Sequence, residues 1–303
     1  VKQVERVSYT LGLADFTVTR NVTLRTLLPL AALIVGLACS FEGTPQAQTP
    51  DTSLIKATCA PTSRSSCDLM VFAASSLTEA FTEIKDAFEK VHLGYAVTYN
   101  FAGTPTLRTQ IEQGARADVF ASANEQQMEA AIRFGVIEGE PVLFASNRLV
   151  VVTPKGSDVV ASLQDLARPG VKLVLALRDV PVGGYAREAI AEMGASGRFG
   201  EGFEGRALGN LVSEEVNVRQ ALSKVALGEA DASIVYATDV TPEIRSRVDA
   251  IDIPDSYNVI ALYPMAAVKG AAHKTAAELF IDFVLSAEGQ SILSKHGFGG
   301  ALS

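Results

Sequence analysis

The sequence predicts an α/β protein built as two lobes. Three observations carry that prediction. Short continuous apolar runs recur, of the kind that fill strands buried on both faces. Segments with helical apolar spacing lie between them. A second series of the same kind opens at residues 148–153 (RLVVVT) after the first has ended. Strand and helix alternate throughout, which implies mostly parallel sheets with helices on both faces. A chain of 303 residues is long enough for two modest lobes.

The first strand is 69–74 (LMVFAA). A helix follows, with Leu77, Phe81, Ile84, Phe88 and Val91 on one face. Ser76 with Glu79 three residues later reads as a capping box at its start. Residues 96–101 (AVTYNF) form the next strand. Thr104 then stands where an N-cap belongs, with Pro105 at the first helical position. Residues 118–122 (DVFAS) are a third strand and 125–134 a third helix.

After RLVVVT, a helix is expected at 163–167, a strand at 172–177 and helices at 185–193 and 215–227. A strand at 233–236 comes next. Residues 258–269 (NVIALYPMAAVK) read as a strand pair or one bent strand leading back. Helices at 275–285 and 288–295 close the chain.

The N-terminal part reads as a targeting segment. In residues 24–39 (LRTLLPLAALIVGLAC), Arg25 precedes an apolar core from Leu27 to Ala38, too short to span a bilayer comfortably. Cys39 follows Ala38, as in a lipoprotein signal whose cysteine is lipidated. Gly36 stands where a branched apolar residue is usual, so an ordinary signal cut near Ala38 is the other reading. Residues 1–23 are long and mixed for a signal start and contain no Met, which points to an alternative start codon, with Val22 as a candidate. Residues 1–39 are therefore taken as the signal region and 40–67, rich in Thr, Ser, Pro and Ala, as a flexible linker. Cys59 and Cys67 on that linker either pair as a local disulfide or remain two thiols.

Composition excludes some functions. There are 34 acidic and 26 basic side chains and a net charge of −8. Nucleic acid is not a partner, because no basic face is present to displace counterions from phosphate. Three scattered histidines (His92, His273, His296) and three cysteines offer no metal-ion spacing. There is no G-x-S-x-G elbow and no Walker sequence. The GEGFEG stretch around Gly200, Gly202 and Gly205 spells a dinucleotide fingerprint, but no buried strand precedes it, and it reads as a surface loop. No enzymatic activity and no cofactor follow from these residues.

One device recurs. Twice, a buried strand ends in a hydroxyl residue that opens a helix: Ser76 and Thr104. Free amides at a helix start, with the positive end of its dipole, suit an anion. Ligands of open α/β sheets bind at the carboxyl ends of strands, which places both hydroxyls on one rim. Most caps bind nothing, so this pattern alone leaves a purely structural role open for each.

From about Leu69 to Gly299 the chain resembles the molybdate-binding proteins of bacterial molybdate ABC importers. The resemblance rests on VFAASSLTEAF, YNFAGTPTLRTQIEQGARADVFASAN, NRLVVVTPKG, VPVGGYAREAI, EEVNVRQALSKVALGEADASIVYATDV and SAEGQSILSKHGFG, in that order. It implies two Rossmann-like lobes joined by a two-strand hinge, the type II periplasmic binding protein fold. Lobe 1 would hold 68–147 and 254–303, and lobe 2 would hold 148–253. It implies molybdate or tungstate as ligand, held in the cleft by neutral donors, and a permease with its ATPase as partners. It also implies a monomer outside the cytoplasmic membrane, with a lipid anchor if Cys39 is modified.

Carried over by position, the donors are the hydroxyls of Ser76, Thr104 and Tyr236 and the amides of Val182 and Val218. Thr104 stands where serine is usual and keeps the hydroxyl. Arg116 and Asn124 replace a common proline and aspartate outside these motifs. Read on their own, Val218 is equally a core residue, Tyr236 equally a packing tyrosine between lobes, and Ser75 an alternative to Ser76. Sulfate or phosphate remains an alternative ligand, and a ligand-sensing regulator or exported enzyme a remoter one.

Overall fold

The computed structural model describes residues 67–300. The signal region, Cys39, Cys59 and most of the linker lie outside the described residues. Cys67 opens the first strand with its backbone. No described helix is long and apolar enough to cross a membrane.

Two five-stranded sheets organise these residues. The first has the order β2 (Tyr95–Ala102), β1 (Cys67–Ala74), β3 (Val119–Ala121), β10 (Ala261–Val268), β4 (Ile137–Asn147). The second has the order β7 (Leu211–Glu215), β6 (Leu173–Ala176), β8 (Ala232–Tyr236), β5 (Leu149–Pro154), β9 (Val248–Asp252). In each sheet four strands run in one direction and a single strand, β10 or β5, runs against them between two antiparallel neighbours. The sheets are thus mixed rather than mostly parallel. The returning strands β10 and β5 each pair antiparallel on both sides, which strand–helix alternation alone does not reveal.

Strand β1 shows why its sequence is apolar without interruption. Side chains alternate across a strand. Leu69, Val71 and Ala73 enter the core shared with Phe81, Ile84, Phe88 and Phe280. Phe72, with half-buried Met70 packed alongside, enters a separate core with Leu107, Phe120 and Met128. The first core comes from helices α1 (Thr78–Val91) and α7 (Lys274–Leu285), where Phe81 and Phe280 meet edge-on at 6.0 Å. The second comes from α2 (Thr104–Glu112) and α3 (Glu125–Phe134). Helices α4 (Pro181–Ala195), α5 (Phe203–Gly209) and α6 (Val218–Ala226) cover the other sheet, and α8 (Ala287–Lys295) ends the chain.

The chain passes between sheets twice, from Asn147 to Leu149 and from Asp252 to Ala261. Asn258 stitches the two crossings together. Its Oδ1 accepts from the Leu149 amide at 2.9 Å, and its Nδ2 donates to the Leu149 and Ile253 carbonyls at 2.9 and 3.0 Å.

Several elements differ from expectation. Strands β7 and β9 carry charged or half-exposed residues at alternate positions and gave no apolar run, and β4, whose apolar stretch 142–145 (VLFA) follows Glu138, Gly139, Glu140 and Pro141, was not expected either. The GEGFEG segment is not loop throughout. Gly202 adopts φ 65°, which favours glycine, and starts α5, whose Phe203 is fully buried. The 163–167 helix is a 3₁₀ turn. Helix α4 begins four residues earlier than expected and α6 three residues later.

Candidate functional site

Six strand ends converge on one small cavity. Ser75 and Ser76 follow β1, Gly103 and Thr104 follow β2, and Ala123 follows β3. From the other sheet come Val182 after β6, Val218 after β7, and Tyr236 at the end of β8. All are carboxyl ends of parallel strands, where α/β sheets place ligands. All five residues carried over as donors line this cavity, and so does Ser75. Not one lining residue carries a charge. The space open to a water's centre is about 10 Å³, the scale of one water or one compact ion.

Each donor is positioned by a local cause. Ser76 lies within a 3₁₀ turn at Ser75–Leu77, and no side chain caps that turn or α1. The expected capping box with Glu79 is therefore not formed. The Ser76 Oγ instead lies 3.0 Å from the Tyr263 hydroxyl. Thr104 is not the N-cap of α2 either; Gly103 holds that place and Thr104 is the first helical residue. Its Oγ1 accepts from the Ala123 amide at 3.3 Å, leaving its O–H free to donate.

At α4, Pro181 has no N–H, and the amides of Gly183 and Gly184 both bond to the Val180 carbonyl at 2.8 and 3.1 Å. That leaves Val182 as the first uncommitted amide. A methyl on Gly183 would run into the Ala176 and Leu177 carbonyl oxygens, so glycine lets the helix start sit directly on the end of β6. Arg187 locks this junction, its Nη1 donating to the Ala176 and Gly183 carbonyls at 3.0 and 2.7 Å. At α6, the Asn217 side chain caps the Gln220 amide at 3.0 Å, and Val218 is the first helical residue, its side chain in the core as its apolar spacing implied.

Tyr236 is fully buried, and its hydroxyl has no hydrogen-bond partner among the described residues. Burial, then the neighbouring Tyr263 phenol, push its pKa well above the ordinary value. The two phenols influence each other's ionisation without forming an aligned hydrogen bond. Burial likewise raises Tyr263, so both keep their protons.

Tyr263 is the hydrogen-bond partner of the Ser76 hydroxyl. Asn147 Oδ1 accepts from the Arg148 amide at 2.9 Å, which identifies its other atom as the NH₂. That NH₂ donates to Thr238 Oγ1 at 2.8 Å and, more weakly, to the Tyr263 oxygen at 3.4 Å. With its oxygen already accepting from Asn147, Tyr263 can give its own O–H to Ser76 Oγ, although either hydroxyl can be the donor in this pair. When Tyr263 donates, Ser76 is left to donate into the cavity.

Charge is close, as one arginine held by two carboxylates. Arg219, next to Val218, forms an ion pair with Glu79, with Nη1–Oε1 at 2.8 Å and a second contact through Nη2. Its Nε lies 3.1 Å from Asp239 Oδ1 in an ion pair that lacks hydrogen-bond alignment. Burial would lower the Arg219 pKa, but Asp239 and Glu79 hold it above its usual value. Burial pushes Asp239 up to about 6, against the pull of Arg219.

The residues missed in the sequence are Gly103, Asn147, Tyr263 and the Glu79–Arg219–Asp239 group. Each looked like an ordinary turn, strand or solvated helix residue. No group of His, Cys, Asp and Glu among the described residues could hold a metal ion.

Comparison with known proteins bears on the family and the fold. A family model described as bacterial extracellular solute-binding protein matches residues 69–299. A molybdate-binding protein, ModA, of Mycobacterium tuberculosis is 35% identical over 280 residues, covering 92% of this chain and 98% of the relative. The solved periplasmic molybdate-binding protein of Azotobacter vinelandii superposes with a TM-score of 0.65 at 22% identity, over 76% of this chain and 98% of that one. The sulfate-binding protein SubI of Mycobacterium tuberculosis gives 0.67 at 18% identity, over 77% and 86%. At these identities the two structures speak for the fold alone, which is that of periplasmic binding proteins.

Proposed function

This chain belongs to the bacterial extracellular solute-binding proteins, and on that premise we propose that it captures molybdate or tungstate in the cavity between its lobes and delivers it to an ABC importer. It is a binding protein, not an enzyme, and needs no cofactor. Its partners are the permease and ATPase of the importer, and it works outside the cytoplasmic membrane. We assign the oxyanion to the hydroxyls of Ser76, Thr104 and Tyr236 and the amides of Val182 and Val218. Lobe 1 would comprise 68–147 and 254–303, and lobe 2 residues 148–253. A monomer, tethered through a lipid on Cys39, completes the proposal.

The observation that carries the reading is the unpartnered Tyr236 hydroxyl in an uncharged cavity of ion size. A buried donor without an acceptor costs about 1–3 kcal/mol, and an oxyanion would recover that cost. Sugars, nucleotides and peptides need pockets of about 300 Å³ or more. A dianion with no proton of its own satisfies a cage of donors, and each such bond is about twice as strong as a neutral one. A smaller tetrahedral anion would leave one or more donors unmet, while a protonated one would set its own O–H against them.

Titration calorimetry of the full chain with molybdate, tungstate, sulfate and phosphate tests this. Tight binding of the first two and at least about 100-fold weaker binding of the others is expected from two unmet donors. Preference for sulfate or phosphate would replace the ligand, and silence toward all four would end the oxyanion reading.

A further inference from the structure

We propose that Arg219 is a positioning residue that ties three ligand-bearing segments together and latches the cleft shut through Glu79. The inference rests on the anion-site reading above and deepens it. The sequence spacing is telling: Arg219 directly follows Val218, Glu79 lies three residues beyond Ser76, and Asp239 three beyond Tyr236. One guanidinium therefore contacts the segments that carry three of the five proposed donors.

The two carboxylates have different roles. Asp239 shares a lobe with Arg219, is fully buried, and receives the Tyr236 amide on Oδ2 at 3.2 Å while its Oδ1 faces Arg219 Nε. That pair survives opening and holds the guanidinium in place. Glu79 belongs to the other lobe, at the start of α1, and meets both Nη atoms. That contact exists only with the lobes together. Planar, two-point geometry suits Arg and cannot be reproduced by Lys.

Other contacts also cross the cleft: Gln127 Nε2 to the Asp179 carbonyl at 3.0 Å, and Asn147 to Thr238. Among these hydrogen-bonded and ion-paired crossings, only Arg219–Glu79 joins full charges in two-point geometry. Because two carboxylates face the single charge of Arg219, it adds geometry rather than net attraction for the anion. A contact made only in the closed state slows ligand escape more than it speeds capture.

The test compares wild type with Arg219→Lys and Glu79→Gln in the full chain. Stopped-flow kinetics with molybdate and small-angle scattering of the ligand-free protein are measured, with thermal melts as a control for folding. Molybdate dissociation is expected to accelerate about tenfold in either variant, with association within about threefold. The double variant should release molybdate no faster than Arg219→Lys alone, since that substitution already breaks the Glu79 contact. Ligand-free Glu79→Gln should scatter as a more open particle than wild type.

Unchanged dissociation and unchanged scattering in folded variants would overturn the latch. A simple structural role would lower melting temperature without touching dissociation. If wild type binds no molybdate, the ligand reading falls, while the scattering comparison still decides the latch.

Discussion

Replacing Tyr236 with Phe separates a ligand-binding phenol from a packing one, because the two roles predict opposite signs. The Tyr236 hydroxyl is buried and has no hydrogen-bond partner among the described residues. Its removal deletes an unmet polar atom and leaves the ring in place, packed edge-on against Tyr263 at 5.8 Å. The ligand-free variant should be as stable as wild type or gain up to about 2 kcal/mol. For a folded region of this size that is a rise of roughly 2–4 °C per kcal/mol.

Binding should move the other way. A bond to a charged acceptor contributes about 1.5–3 kcal/mol, so the molybdate Kd should rise about ten- to 150-fold. Differential scanning calorimetry without ligand and isothermal titration with molybdate read the two quantities independently. A Kd within twofold of wild type, or a ligand-free melting temperature several degrees lower, would refute the assignment. The second outcome would mean that the hydroxyl has an internal partner after all.

Two further perturbations address closure and charge. A methyl at Gly103 would run into the Val216 carbonyl across the cleft; Gly103→Ala should keep the open protein folded, with ligand-free melting within about 2–3 °C of wild type, yet weaken molybdate at least about tenfold by depleting the closed state; unchanged affinity would show that the lobes close differently. Burial pushes Asp239 up to about 6 in the folded protein, against an ordinary 3.8, with Arg219, Glu79 and the Tyr236 and Tyr263 phenols as its charged and titratable neighbours. Between those values the folded state holds the extra proton, so this group's contribution to stability is largest below pH 4 and falls as pH rises through 6, by at most about 3 kcal/mol. Asp239→Asn should remove that slope in denaturation measured from pH 4 to 7, and an identical slope in the variant would assign it elsewhere.

Much of the fold was legible because burial on both faces leaves a plain mark. The run from Leu69 to Ala74 and the Phe81–Ile84–Phe88 stripe could not serve an exposed segment. The third helix sits at the expected Glu125–Phe134. The return strands β5 and β10 were legible as the apolar runs at 148–153 and 258–269, whereas β4, β7 and β9 were not, since Val212 and Val216 are exposed near β7 and Glu138 and Glu140 interrupt the start of β4. The rim of hydroxyls at strand ends was visible, but its mechanism was not. Ser76 and Thr104 looked like caps, and neither is one. The hydrogen-bond partner of Ser76 is Tyr263, 187 positions away in sequence, and an aromatic in an apolar strand reads simply as core. Likewise Arg219, on a helix beside glutamine, reads as a solvated charge until the fold brings Glu79 and Asp239 to it.

The most direct test is a crystal structure of the full chain with molybdate, located by the anomalous signal of molybdenum. One molybdenum should lie between the strand ends. Its oxygens should be within hydrogen-bond distance of the Ser76, Thr104 and Tyr236 hydroxyls and the Val182 and Val218 amides, with Arg219 still turned toward Glu79 and Asp239. Molybdenum bound elsewhere, or held directly by a charged side chain, would contradict it.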